Sequence, residues 1–237
     1  MHQKEVARSE ELQEKRAALA LEYELAEHHY DFGGRPFIFL SVLDSYALLD
    51  RISPEEFVKD EQMPYWAEIW PSAITLSTFL SGERPLQGLR ALELGAGVGM
   101  VSVVAASKGA SVYATDYSLE ALRFIQYNAL KNGVDLEIAR LDWRQVECPE
   151  KFDLLFAADV LYERVNLLPI VYAIDKLLKP EGEAYIADPR RRMAAQFVEL
   201  AEENGFTVVP FAREYRGGTQ AVSVNIYRIT RKGAEGR

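Results

Sequence analysis

Ala91-Leu92-Glu93-Leu94-Gly95-Ala96-Gly97-Val98-Gly99 leads from a short apolar run, through glycines at alternate positions, into the segment Met100 to Ser107, which closes at Lys108-Gly109. Ala91 to Leu94 has the length and apolarity of a strand, and a cation followed by glycine stands where a helix C-terminus favours both. The stretch therefore reads as strand, tight turn and buried helix. Glycine in such a turn lets the backbone approach a ligand and presents the free amides of a helix N-terminus, an arrangement suited to a nucleotide-like group. A tight strand-to-helix turn also selects glycine for its own sake. The dinucleotide fingerprint puts its third glycine three residues after the second. That position is Met100, with Gly99 one residue early, so a nicotinamide dinucleotide is disfavoured.

Outward from this stretch, short apolar runs alternate with longer segments of helical periodicity, which predicts βαβ units and a mainly parallel sheet. Strands are expected at Val112 to Thr115, Leu136 to Leu141, Leu154 to Ala158 and Ala184 to Ala187. Leu154 to Ala158 holds no polar residue and should lie centrally, buried on both faces. Ser118 caps a helix that carries Leu122, Ile125 and Ala129 on one face and stops at Asn132-Gly133. Further helices are expected from Leu167 to Leu178, ending at Lys179-Pro180, and from Met193 to Glu203, ending at Asn204-Gly205. Beyond these the rhythm changes. Phe206 to Phe211 and Ala221 to Ile229 flank a loop with Gly217-Gly218 and have no helix between them, so the sheet closes in an antiparallel hairpin. The expected fold is α/β, a Rossmann-like doubly wound sheet of seven strands with that C-terminal hairpin. It occupies residues 61–237, one domain's worth of chain. Residues 1–60 form an extension with a charged helix, Glu5 to Glu27, and a hairpin across Asp31 to Leu49 around Gly33-Gly34. The extension covers the core or shapes the substrate entrance.

In open α/β sheets ligands sit outside the carboxyl ends of the strands. Asp116 ends the second core strand about 20 residues after the glycines, where an acid accepts both hydroxyls of a ribose; the same position also suits a helix-capping aspartate. Asp142-Trp143, after the third strand, offers a carboxylate for an adenine amino group and a flat apolar surface, unless Trp143 is plain core.

Composition excludes several classes. With 49% hydrophobic and 27% charged residues the chain is an ordinary globular protein. Apolar runs such as Phe37 to Leu40 fall far short of the roughly 20 residues of a membrane span, so no membrane association is expected. The opening Met1-His2-Gln3-Lys4-Glu5 has no apolar signal segment, so a cytoplasmic enzyme is expected. Net charge is −9, the wrong sign for binding nucleic acid through phosphates. The Arg190-Arg191-Arg192 run reads as a solvated helix start. Cys148 is the single cysteine, and His28-His29 lacks the spacing of a metal pair, so no metal site is expected.

Glu93-x-Gly95-x-Gly97-x-Gly99, Asp116, Asp142 and the terminal hairpin together resemble the seven-β-strand methyltransferases that use S-adenosylmethionine, over roughly residues 60 to 230. Pro64-Tyr65-Trp66-Ala67-Glu68-Ile69-Trp70-Pro71 looks like the tryptophan-bearing segment ahead of the core in the methyltransferase-like lysine methyltransferases, notably those acting on the electron transfer flavoprotein β-subunit. Ala158-Asp159-Val160-Leu161-Tyr162 matches that group's acid-x-x-aromatic motif. The resemblance implies S-adenosylmethionine as cofactor, held by Trp66, Trp70, Glu93, Gly95, Gly97, Gly99, Asp116, Tyr117, Asp142, Trp143 and Ala158, with Asp159 and Tyr162 at the acceptor. It implies a lysine of a protein substrate, with a small-molecule amine as the alternative. Enzymes that methylate base or glutamine amides carry two prolines after the acid, where this chain has Val160-Leu161, which lowers those acceptors.

Overall fold

The computed structural model describes residues 2–51, 64–217 and 220–233. The expected domain boundary at residue 60 and Gly218 of the hairpin loop lie outside the described residues. The extension comprises helix α1 (His2–Ala20) and strands β1 (Leu25–Phe32) and β2 (Arg35–Val42), followed by a 3-10 turn, Tyr46–Arg51. A second 3-10 turn, Tyr65–Ala67, precedes α2 (Pro71–Gly82). The core then runs β3 (Arg90–Leu94), α3 (Met100–Ser107), β4 (Ser111–Asp116), α4 (Leu119–Asn132), β5 (Glu137–Arg140), β6 (Phe152–Ala158), α5 (Arg164–Leu177), β7 (Leu178–Asp188), α6 (Met193–Glu203), β8 (Phe206–Tyr215) and β9 (Val222–Arg231). No described helix is long and apolar enough to cross a membrane.

The seven-stranded sheet has the order β5-β4-β3-β6-β7-β9-β8, with β9 antiparallel to both β7 and β8 and every other pairing parallel. β6 is central, as its unbroken apolar run requires. The chain winds outward from β3 in one direction and from β6 in the other, which opens a crevice at the carboxyl ends of these two neighbours. Alternation along β3 sorts the two faces. Ala91 joins Leu76 and Leu80 of α2 and Val101 and Ala105 of α3, whereas Leu92 and Leu94 join Leu167 and Ile170 of α5 and Phe197 of α6. Both faces of the sheet are thus covered by helices, which is why its strands read as apolar runs.

Several expected boundaries differ: the hairpin expected across Asp31 to Leu49 spans Leu25 to Val42, with the 3-10 turn beyond it, and the strand expected at Phe206 to Phe211 runs on to Tyr215. The helix predicted through Glu27 stops at Ala20, because Leu25 to Glu27 pair with Val42 to Leu40 across the hairpin. β1's cross-strand partner outweighs the helical propensity of these residues. The strand predicted at Ala184 begins instead at Leu178. Phe152 pairs with Leu178 and the ladder resumes only at Leu154–Glu183, so Pro180 and Gly182 occupy an irregularity inside the strand.

The extension is docked by aromatic packing and by two asparagines. Phe32, Phe37 and Phe39 pack on Ile74, Met100, Val103 and Ala129, from α2, α3 and α4. One edge of β2 faces α4, where Asn128 Oδ1 accepts from the Leu40 amide (2.8 Å) and its Nδ2 donates to the Leu40 carbonyl (3.0 Å). One helical turn on, Asn132 does the same for Ile38, at 2.9 and 2.8 Å. Residues i and i+4 on the helix match i and i+2 on the strand, so two side-chain amides stand in for a neighbouring strand at Ile38 and Leu40 of β2. Asn128 Nδ2 also donates to the Val98 carbonyl (2.8 Å), which ties the extension to the glycine turn.

Candidate active site

The carboxyl ends of β3, β4, β5 and β6 and the segment before α2 enclose an open cleft of roughly 1040 Å³, counting the solvent in its mouth. That is room for a nucleoside with an appended chain. Of the residues named from the sequence, Trp66, Trp70, Glu93, Gly95, Gly97, Asp116, Tyr117, Asp142, Trp143, Ala158, Asp159 and Tyr162 line it. Gly99 does not. It begins α3 with φ 86°, and a side chain there would strike Ile125 of α4.

The glycine turn is a tight channel. Gly95 has φ 66° and Gly97 φ 56°, in the left-handed region that favours glycine. A Cβ on Gly95 would lie 2.9 Å from the Trp143 ring, and one on Gly97 3.2 Å from the Trp66 carbonyl oxygen. The Asp116 carboxylate braces this turn, accepting from the Gly97 amide (2.8 Å) and the Ser118 amide (2.9 Å). Burial pushes its pKa up to about 6, against the pull of these amides. Glu93 lies deeper, accepting from the Ser102 amide (2.8 Å) at the start of α3, and burial pushes its pKa up to about 8.

These two carboxyls give a signed pH dependence. Folded, each holds its proton to higher pH than the ordinary values of 4.5 and 3.8, so the folded state binds protons that the unfolded chain has released. The contribution of these two groups to stability therefore falls as pH rises from about 4 to about 8. We expect the unfolding midpoint of the ligand-free protein to drop across that window, and Glu93→Gln to flatten the drop. An unchanged slope in the variant would exclude Glu93 as its source.

Across the cleft, the Asp142 carboxylate is gripped by the Arg144 guanidinium at 2.9 and 3.1 Å, through Nε, and 2.9 Å, through Nη2. Partial burial opposes its charge, but this grip and the Arg144 amide hold its pKa below the ordinary value. Arg140 and Arg144 both lie over the Tyr117 ring, at 4.4 and 5.3 Å from its centroid. In the segment before α2, the Trp66 ring packs against Tyr23 and Phe124, so its indole belongs to the seam between extension and core while its carbonyl faces Gly97. Trp70 Nε1 donates to the Tyr65 carbonyl (2.9 Å), and the Tyr65 ring lies 4.7 Å from that of Tyr162. An aromatic wall, Trp70–Tyr65–Tyr162, thus closes one end of the cleft. Burial, followed by the charges of Glu163 and Asp116, drives the Tyr162 phenol well above its ordinary pKa, so it stays a neutral hydroxyl.

Asp159 departs furthest from the sequence reading. It has φ 62°, donates its amide to the Ala187 carbonyl (2.8 Å), and its buried carboxylate is ion-paired with Arg191. Of the arginine run expected to be solvated, Arg190 and Arg192 are exposed and Arg191 is not. Arg190 bonds Asn225 Oδ1 (3.2 Å), and the half-buried Arg191 reaches both Asp159 and Asp188. Nothing in the local pattern of three arginines signals this. The partners are set by β7 lying beside β6, which brings Asp188 next to Asp159. Asn166 is a further residue missed, buried on the first turn of α5 and lining the cleft while Nδ2 donates to Glu163 (2.7 Å).

Comparison with known proteins follows the same outline. A family profile described as lysine methyltransferase matches residues 57–204. Mouse EEF1A lysine methyltransferase 3 is 30% identical over 171 residues, 68% of this chain and 71% of that protein. Mouse protein N-lysine methyltransferase METTL21A is 39% identical over 110 residues, 43% of this chain, and the match spans half of its own length. Among solved structures, the ribosomal protein L11 methylase of Lactobacillus delbrueckii subsp. bulgaricus superposes with a TM-score of 0.53 at 25% identity, over 68% of this chain and 78% of that one.

Proposed function

Because the chain belongs to the lysine methyltransferase family and is an S-adenosylmethionine-dependent methyltransferase, we propose that its acceptor is the side-chain amine of a lysine on a folded protein. The observation that carries this reading is the joining, in one cleft, of a nucleoside-sized channel to an end walled by Tyr65, Tyr162 and Asp159.

The residues present fit the cofactor. A Cβ at Gly95 or Gly97 would press on the Trp143 ring or the Trp66 carbonyl, so bare backbone lines the cleft there. Each Asp116 oxygen spends one lone pair on the loop and keeps another for a ribose hydroxyl. The Trp143 ring beneath Gly95 offers an apolar surface for adenine, with Asp142 beside it for the amino group. Bound there, S-adenosylmethionine supplies a methyl group on a sulfonium, open to in-line displacement by a nucleophile.

The chain's own task is positioning, for which well-oriented reactants gain several kcal/mol. Tyr65 and Tyr162 present ring faces to the methylenes and cation of an incoming lysine, a contact worth about 0.5–2 kcal/mol. The neutral Tyr162 hydroxyl and the Asp159 carboxylate can take hydrogen bonds from the amine.

The test is to incubate enzyme and methyl-labelled cofactor with a dialysed cell extract. We expect labelled protein bands that yield methyllysine on hydrolysis. Label found only in the low-mass fraction would overturn the protein acceptor in favour of a small amine.

A further inference from the structure

A carboxylate beside the acceptor works against transfer unless its charge is answered. An opposite charge within about 4–6 Å favours the protonated amine. A lysine starts with a pKa of about 10.4, and its ammonium has no lone pair to attack with. Asp159 is 6% exposed, so water does little to screen it. The counter-charge comes from the turn between β7 and α6, where the Arg191 guanidinium is ion-paired with Asp159 and lies 3.7 Å from Asp188 Oδ2. Arg191 is anchored for this task, its amide donating to Asp188 Oδ1 at 2.7 Å.

The titratable groups around Asp159 make the arginine decisive. Asp188 comes from β7, Tyr65 from the segment before α2, and Tyr162 and Glu163 from Asp159's own turn. Glu68, Glu93, Asp116, Tyr117 and Asp142 also line the cleft, with Arg144 bound to Asp142. Without Arg191, the described groups next to Asp159 are acids and phenols.

We propose that Arg191 is a positioning residue that sets the protonation state of the acceptor: by neutralising Asp159 it lets the bound lysine meet a hydrogen-bond acceptor without a full opposing charge, so the amine sheds its proton to solvent near neutral pH. The nitrogen lone pair then forms the new N–C bond as the C–S bond breaks, leaving the cofactor as its thioether. This inference rests on the lysine acceptor proposed above.

The test uses the acceptor protein isolated from the labelled extract, with kcat and KM followed from about pH 6 to about pH 11.5, which brackets the change in charge of both the bound and the free amine. In Arg191→Gln we expect the acid limb of kcat, which reports the bound amine, to move up by about one pH unit. KM at neutral pH should fall, because the ammonium binds unproductively to the bare carboxylate. The acid limb of kcat/KM, which reports the free enzyme and free acceptor, should stay in place. Arg191→Lys keeps the charge and should restore the kcat limb. A purely structural role would lower kcat at every pH without moving the limb, and that result overturns the proposal. Calorimetry with S-adenosylhomocysteine checks folding. Should Arg191→Gln not fold, the neutral pair Asp159→Asn/Arg191→Gln carries no unanswered charge; its kcat limb is expected at the wild-type position, and an upward displacement there overturns the proposal. A wild-type enzyme that labels no protein removes the acceptor reading itself, a failure distinct from an unmoved limb.

Discussion

Asp116→Ala is expected to weaken binding of S-adenosylhomocysteine by a hundredfold or more, with methyl transfer lost in parallel. Two hydrogen bonds to an ionised carboxylate contribute about 1.5–3 kcal/mol each, so losing both costs at least about 3 kcal/mol, or roughly two decades in Kd. The same carboxylate holds the Gly97 amide at 2.8 Å and the Ser118 amide at 2.9 Å, and its removal also frees the turn that forms the channel floor. Asp116→Asn separates the two contributions: it keeps the volume but gives up the charge and presents amide hydrogens to donors already there. Calorimetry on both variants decides the matter. Affinity in Asp116→Ala within a few-fold of wild type would take Asp116 out of the cofactor site and leave it as a brace for the loop.

Asp159→Ala should show the opposite division, with cofactor binding kept within about threefold and transfer down by a hundredfold or more, the size of loss that about 1 Å of misplacement produces. Asp159 is ion-paired with Arg191, whereas Asp116 is the acid that braces the glycine-turn amide, so the cofactor channel keeps its floor. The variant should also melt lower. Breaking a buried ion pair from one side costs about 3–5 kcal/mol, reduced here because Asp188 remains 3.7 Å from Arg191. Single-turnover rates beside cofactor affinities provide the measurement. An equal loss of cofactor binding in Asp159→Ala and Asp116→Ala would refute the separation of a cofactor end from an acceptor end.

The legible parts of the site were those carried by short spans of chain. Gly95, Gly97, Asp116 and Ser118 each owe their place to the strand or turn that holds them, and a strand that ends in an acid fixes where that acid points relative to the next helix. The parts that could not be read were joined across the fold. Trp66 gave no sign whether its ring faced ligand or core until Tyr23, from the extension, and Phe124, from α4, came to rest on it. Leu25 to Glu27 looked helical beside α1, and only the β2 partner converted them to strand.

What the chain determined by itself was the order of its elements and hence the identity of the sheet. Hydrophobic period, caps and glycine positions act over a few residues and need no partner, and they place the glycine turn, Asp116, Asp142 and Asp159 at the carboxyl ends of successive strands. What the tertiary structure alone decided was the ion-pair partner of Asp159. Arg191 and Asp159 are distant in sequence, and an ion pair between them depends on β7 settling against β6 and on the burial of Asp159. A run of three arginines carries no trace of that, because the energy of a charge is set by the dielectric and the neighbours it meets after folding.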